Sequence, residues 1–544
     1  MDRHVSVSAQ IEGCQCPSNR DMPQSAGVHS GFVPRNKFVT AAEAASLVPD
    51  GATVGVTGGG GGLVEPDTLL EAIESRFLSS GSPRGLTLVH ALGLGDRESR
   101  GVNRFAHEGM TKRVIGGHWV WSPRMQKLAA DDKIEAYVLP AGVITQLVRE
   151  IGAGRPGLLT HVGLGTFVDP RIDGGKLNRR AQDDLVELVE FGGRELLHYK
   201  PFPVGAVCLR GTFADPEGNI SFEQEGANLD AFTLALAAHN SGGKVLVQVR
   251  EAVETGTLPA RSVRVPGALV DAVVVDSNQR QCYEGDYDPS LSGEKRVVNS
   301  QTGANRFSER EVIAKRAAME LREGAVINYG FGIPDAVAKY VASKGDLGRY
   351  YQTIEHGTYG GELLDGALFG FARNATAMID SPSQFDFYSG GGLDIAFLGM
   401  GELDQVGNVN VSMLGGVAVG PGGFIDIAQN ARKVVFCGTF EAKGARLSVG
   451  EGRLEILRHG EVRKAVEHVR QITFSGHQAV KTGQEAVYVT ERAVFRLTPR
   501  GLKLTEIAPG ADLRRDVLER MDFEPLMEGE IGRMPADCFT LGPC

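Results

Sequence analysis

The residue in this chain best placed for chemistry is Glu355, within Tyr351–Gly361, YQTIEHGTYGG. An apolar-leaning run ends in the glutamate and a glycine-rich turn follows. The pattern reads as a short buried strand delivering one carboxylate to the rim of a sheet. Gly357, Gly360 and Gly361 let another backbone or a ligand come close. A carboxylate that is ionised but poorly hydrated is a nucleophile; the plainer roles of such a glutamate are to cap a helix or pair with a cation. His356 is tempting as a general base, but successive strand residues point to opposite faces. The other histidines are scattered. His107-Glu108 lacks the second histidine of HExxH, and no metal constellation is visible.

Glycine loops are the second candidate. Gly58–Gly62 follows a strand and precedes a helix, a natural anion cradle. It misses GxGxxG, as does the Gly330/Gly332 loop, where Asp335 takes the third place. GxxxxGK[ST] and GxSxG are absent, which removes P-loop NTPases and the commonest hydrolase elbow. Gly390–Gly392 and Gly420-Pro421-Gly422-Gly423 are further nests whose backbone N–H groups suit an oxyanion. Asn408 and Asn410 flank an apolar strand, where an amide can bind a carbonyl. The structural alternative is that these are tight βα turns and hairpins.

The elements that must position these residues alternate as strand, glycine turn, helix, strand. That is the signature of a parallel sheet covered by helices. Thr40 with Glu43, and Ser308 with Glu311, form capping boxes. The first opens a helix before the strand 52–57, with further strands at 86–95, 113–118, 135–140, 158–165 and 204–211. The second opens a helix before the strand 325–330. Helix, strand, glycine turn, proline, helix recurs in both halves. DPEGNISF (215–222) pairs with DQVGNVNVS (404–412), and AHNSGGKVLVQV (238–249) with AQNARKVVFCGT (428–439). We read a tandem duplication: two pseudo-symmetric open α/β domains with mainly parallel sheets and a cleft between them. The boundaries are a loose leader 1–36, domains 37–275 and 306–513, a connector 276–305, and a tail 514–544 packed on the surface.

Composition agrees with a soluble enzyme of more than one core. The 544 residues are 42% hydrophobic and 23% charged. A net charge of -10 argues against nucleic acid as partner. Glycine, 72 residues, clusters between apolar runs. Seven scattered cysteines without framework spacing point to a reducing, cytoplasmic setting. No apolar run approaches a membrane span.

The motifs then name a family. HVGLGTFVDPR with Gly174-Gly175-Lys176 (161–176), RGTFADPEGNIS (210–221), QFDFYSGGGLDIAFLG (384–399) and GPGGFIDIAQNARKVVFCGTF (420–440) resemble the family I coenzyme A transferases. They are nearest to the single-chain propionate/acetate branch, and the similarity runs from about Phe38 to about Leu513. Thr353-Ile354-Glu355-His356-Gly357 matches that family's catalytic (S/T)-(V/I)-E-x-G segment. The resemblance implies that Glu355 attacks an acyl-CoA, passes through an anhydride and a glutamyl-CoA thioester, and hands CoA to an acceptor acid without metal or redox cofactor. It implies that Gly330-Phe331-Gly332-Ile333-Pro334 holds CoA. Gly420, Gly422 and Gly423 supply oxyanion or CoA contacts, and Gly58, Gly59 and Gly60 close over the acyl group. Short carboxylic acids (acetate, propionate, butyrate or acetoacetate) are the expected partners, in a homodimer or homotetramer. One departure stands out: where the family's N-terminal loop often reads GFGG, this chain has five glycines, which predicts a wider acyl pocket. An acyl-CoA hydrolase with the same intermediate and a non-catalytic CoA-binding protein are the alternatives. An NAD oxidoreductase is weaker, for want of the fingerprint.

Overall fold

The Thr40 hydroxyl accepts the Glu43 N–H at 3.2 Å, and the Glu43 carboxylate accepts the Thr40 N–H at 2.8 Å. This reciprocal cap starts α1 (Ala41–Ser46). In this computed structural model, residues 36–298 and 307–540 are described. The leader, part of the connector and the last four residues lie outside them. The described residues form one compact unit with two large sheets.

The first sheet holds β1 (Thr53–Val56), β2 (Leu86–His90), β3 (Thr111–Gly116), β4 (Glu135–Val138), β5 (Ala206–Ala214), β6 (Lys244–Ala252) and β7 (Ala272–Val275). They run in parallel in the order β7-β6-β5-β1-β2-β3-β4. A short antiparallel strand (Ile220–Ser221) pairs with the carboxyl end of β5, and Val263–Val265 pairs with it in turn. The helices α2 (Asp67–Ser80), α3 (Ala141–Gly152) and α4 (Ala231–Asn240) join them. Leu69, Leu70 and Ile73 bury one stripe of α2, and Gly81 at φ 73° ends it.

The second half repeats the plan. After α5 (Glu309–Ala318) come β8 (Val326–Tyr329), α6 (Ile333–Ser343), β9 (Tyr351–Ile354), α7 (Ser381–Ser389), β10 (Ile395–Gly399), α8 (Phe424–Asn430), β11 (Lys433–Cys437) and β12 (Glu485–Val489). Their parallel order is β9-β8-β10-β11-β12. Placed beside β2-β1-β5-β6-β7, each strand finds its partner, so the duplication read from local motifs is a duplication of topology. Antiparallel Ala493–Thr498 and Gly501–Ile507 complete the second sheet.

The sequence expectation for the tail is corrected here. Gly532–Arg533 adds a strand to that sheet, and Met534, Cys538 and Phe539 are buried in its core. The apolar residues in an otherwise polar segment are spaced to reach back onto α5, a tertiary contact that local composition does not show.

Candidate functional site

The carboxyl ends of the two parallel sheets face one another, held by hydrogen bonds between the halves. The Ala141 N–H donates to the Gly422 carbonyl at 2.8 Å, and the Trp119 N–H to that of Val419 at 2.8 Å. The buried Asp426 carboxylate accepts the N–H groups of Gly142 and Val143, both at 3.1 Å, at the start of α3. This cross-cap satisfies orphan donors and sits in the positive end of the helix dipole. Burial nonetheless pushes Asp426 up to about 8, against those N–H bonds, with the Glu355 charge adding to the rise.

Between the halves lies a cleft of about 490 Å³. Gly59, Gly60, Leu92, Gly93, Arg97, His118, Val120 and Trp121 line it from the first half. Gly330, Phe331, Glu355, His356, Met400, Gly420–Gly423, Gly438 and Lys464 are among its residues from the second.

Glu355 follows the last residue of β9. Thr353 anchors that strand, donating to the Ile327 carbonyl at 2.8 Å and meeting the Tyr388 hydroxyl at 2.7 Å. The Gly357 N–H returns to the Ile354 carbonyl at 3.0 Å and closes a turn. Gly357 holds φ 100°, and a Cβ there would stand 2.1 Å from the Ile379 carbonyl oxygen, so only glycine fits. The turn breaks the strand alternation. His356 therefore also lines the cleft, contrary to the opposite-face expectation, with Nδ1 3.3 Å from the Gly370 carbonyl. The Glu355 carboxylate has no hydrogen-bond or ion-pair partner among the described residues.

The glycine loops divide. At the GPGG turn, the Gly420 N–H is taken by the Ser412 carbonyl (3.1 Å) and the Gly422 N–H by that of Gly117 (2.8 Å). They cannot also serve an oxyanion. The Gly423 N–H carries no hydrogen bond among the described residues, and Gly423 abuts Glu355. Gly330 lines the cleft with its N–H bonded to Phe397 (2.8 Å), while Gly332, at φ 94°, turns the chain into α6 off the cleft wall. Gly59 and Gly60 reach the cleft; Gly58 lines a small adjoining cavity with Leu229 and Asp230.

The structure moves Asn408 and Asn410 out of the site. The Asn408 side-chain amide donates to Asp404 at 2.9 Å, and its oxygen accepts the Gly476 N–H at 3.0 Å. Its counterpart in the first half, Asn219, makes the same bonds to Asp215 (2.9 Å) and from Gly267 (2.9 Å). A pair of asparagines doing one job in both halves is a loop lock. The buried Asn410 donates to Glu402 (2.8 Å) and the Met413 carbonyl (2.7 Å), and accepts from the N–H groups of Ser412 (3.1 Å) and Met413 (3.0 Å). Its hydrogen-bonding capacity is filled.

The wider acyl pocket expected from five glycines is also corrected. The space a side chain at Gly60 would take is filled by Trp121, whose Cε2 stands 2.1 Å from that Cβ position. The Arg97 guanidinium covers the indole at 4.2 Å. His118, held down to about 4 by burial, completes this wall. Sequence reading missed these residues. The available signal was that both tryptophans of the chain, Trp119 and Trp121, stand just after one strand end.

With this geometry in hand, comparison with known proteins is informative. Residues 38–276 match the model of a family described as coenzyme A transferase. The chain is 43% identical over 511 residues to the acetate CoA-transferase YdiF of Escherichia coli K12, covering 94% of this chain and 96% of that protein. It is 44% identical over 513 residues to the caffeate CoA-transferase of Acetobacterium woodii, covering 93% and 97%. A crystal structure of the acyl-CoA transferase YdiF from E. coli O157:H7, a thioester complex with CoA, superposes with a TM-score of 0.89 at 41% identity, covering 94% and 97% of the two chains.

Proposed function

The chain belongs to the coenzyme A transferases, and from that premise we propose that Glu355 is the nucleophile and that short carboxylic acids are the substrates. The observation that carries this reading is a carboxylate in the cleft with no hydrogen-bond or ion-pair partner among the described residues, beside the open Gly423 N–H.

Glu355 attacks the acyl-CoA carbonyl; the C–S bond breaks, giving an acyl-glutamyl anhydride and the CoA thiolate. The thiolate attacks the glutamyl carbonyl and expels the first acid as its carboxylate, leaving glutamyl-CoA. An acceptor carboxylate attacks that thioester and releases the thiolate. The thiolate then takes the acceptor acyl group from the new anhydride and frees Glu355. Atoms and electrons balance, with CoA supplying its own sulfur. Each addition places negative charge on a carbonyl oxygen, and the Gly423 N–H, which carries no hydrogen bond among the described residues, belongs to a residue that abuts the nucleophile. Binding along the CoA arm offsets the cost of desolvating and orienting the thioester.

The Trp121 indole over Gly60 supports small acyl groups, of the acetate, propionate, butyrate or acetoacetate class, since it occupies the room a longer chain needs. Relatives of this one are named for acetate and for caffeate, so the wall of this pocket matters to the choice. We place the enzyme in the cytoplasm as a homodimer or homotetramer. The buried thiols of Cys208, Cys282 and Cys437, none of them in a disulfide, accord with a reducing compartment. Among the described residues no helix is long and apolar enough to cross a membrane.

The test is intact-protein mass after brief exposure to propionyl-CoA without acceptor, followed by peptide mapping. A CoA adduct on Glu355, discharged by acetate and absent from Glu355→Ala, is the expected result. Tight CoA binding with no adduct from any short acyl-CoA would overturn the covalent mechanism. An adduct that decays in water as fast as with acetate would make the enzyme a hydrolase.

A further inference from the structure

The far wall of the cleft carries a buried cation that the reaction at Glu355 does not use. Lys464 is only 9% exposed, yet it lines the cleft. Its ammonium has no hydrogen-bond or ion-pair partner among the described residues. The nearest opposite charge, Glu491, is already engaged by the Phe440 N–H at 2.8 Å and by the Arg492 Nε at 3.0 Å. Burial pulls Lys464 down to about 8. A desolvated, unpaired ammonium is costly to a fold, and such groups normally find a counter-charge or an acceptor oxygen.

The backbone at Lys464 is held in place. The Lys464 carbonyl accepts the Leu403 N–H at 2.8 Å, and the preceding Arg463 pairs with Glu441 in a short ladder. Gly438 makes room for the ammonium: a Cβ there would stand 3.0 Å from Lys464 Nζ and 2.9 Å from the Met400 carbonyl oxygen.

Its position along the cleft follows from strand order. Glu355 follows β9 and Gly438 follows β11, with β8 and β10 between them. Three strand spacings of ~4.8 Å put the two ends about 14 Å apart. That is beyond the reach of a short acyl group or acceptor acid held at Glu355. A CoA whose sulfur lies at Glu355 extends its arm over this distance. We infer that Lys464 donates a hydrogen bond to an oxygen of the phosphopantetheine arm of CoA, either an amide carbonyl or the phosphate at its end. The inference rests on CoA lying in this cleft with its sulfur at Glu355. It assigns Lys464 to substrate positioning, away from the bond-making atoms.

Lys464→Met tests it, with Lys464→Gln as a second variant. Removing an unpartnered buried charge leaves the melting temperature of the free protein unchanged or higher, so folding is not the obstacle. Calorimetric Kd for CoA should rise about 10- to 100-fold, the loss expected for one hydrogen bond to a charged group. Binding of adenosine 3′,5′-bisphosphate should not change. If pantetheine loses affinity as phosphopantetheine does, the acceptor is an amide carbonyl. If only phosphopantetheine does, it is the phosphate. CoA bound equally by wild type and both variants would overturn the inference, as would an equal loss for adenosine bisphosphate. Wild-type enzyme that binds CoA but forms no mass adduct from any short acyl-CoA would sink the Glu355 mechanism and leave the Lys464 result to stand on its own.

Discussion

A Cβ placed on Gly423 would stand 3.3 Å from Glu355 Cγ, 3.3 Å from Phe385 Cζ and 3.4 Å from Ile427 Cδ1. The second glycine of the GPGG pair is therefore the floor against which the carboxylate rests. Gly423→Ala should leave melting within a few degrees of wild type, because each neighbour has only tenths of an ångström to give. It should slow glutamyl-CoA formation by about 10- to 100-fold, since reaction geometry tolerates little displacement. Stopped-time mass spectrometry of the adduct measures this directly, and an unchanged rate would remove Gly423 from the site.

Trp121 and Gly60 define acyl size as a pair. Gly60→Ala forces the indole aside, at a stability cost of about 1–3 kcal/mol for overpacking. Trp121→Ala opens the same space without crowding. Its kcat/KM for hexanoyl-CoA relative to acetyl-CoA should rise by about 10-fold, on the order of one methylene's discrimination. A parallel loss for every chain length would mean that Trp121 only braces the fold.

Asn408→Ala separates a loop lock from a substrate ligand. The Gly476 N–H loses its acceptor and the Asp404 carboxylate loses a donor, which should destabilise by about 1–3 kcal/mol. KM for CoA and for the acid should not move at temperatures where the variant is folded. Asn219→Ala, in the other half, should give the same phenotype, because it makes the same bonds. A KM effect at Asn408 without one at Asn219 would return it to the site.

Glu65 gives a pH dependence with a definite sign. It lies beneath the Gly58–Gly62 loop and accepts the Gly95 N–H at 2.9 Å and the Tyr283 hydroxyl at 2.7 Å. Burial raises its pKa from 4.5 to about 8. The folded protein thus holds this proton more tightly than the unfolded chain does. The resulting stability is complete below the unfolded value and is lost as pH rises through about 8. Melting temperature should fall between about pH 5 and pH 9, and Glu65→Gln should flatten the fall. Asp426, also raised to about 8, leaves a residual slope in that variant.

The Thr40 and Ser308 caps were legible because a capping box is a local event: both partners lie within four residues, and the structure places both. The repeated strand–glycine–helix order was legible for the same reason, since each glycine turn follows directly from the strand before it. Glu355 could be picked out because the strand and turn that expose it are contiguous in the chain, and the long motifs around it pointed to coenzyme A transfer. Other features depended on chain segments far apart in sequence. Asn408 and Asn410 looked like carbonyl binders because Gly476, whose N–H donates to the Asn408 oxygen, lies 68 positions away, and the nearby Asp404 and Glu402 carry no pattern marking them as partners. Five glycines looked like an open pocket because Trp121, 61 positions beyond Gly60 in the numbering, fills it only once β3 lies beside β2. The Asp426 cap on α3 exists only where the two sheets meet. Side-chain type and local hydrogen bonding can be read along the chain; which groups share a desolvated cleft is decided by tertiary packing, which sets the acyl wall within the first half, the buried cation within the second, and the Asp426 cap between them.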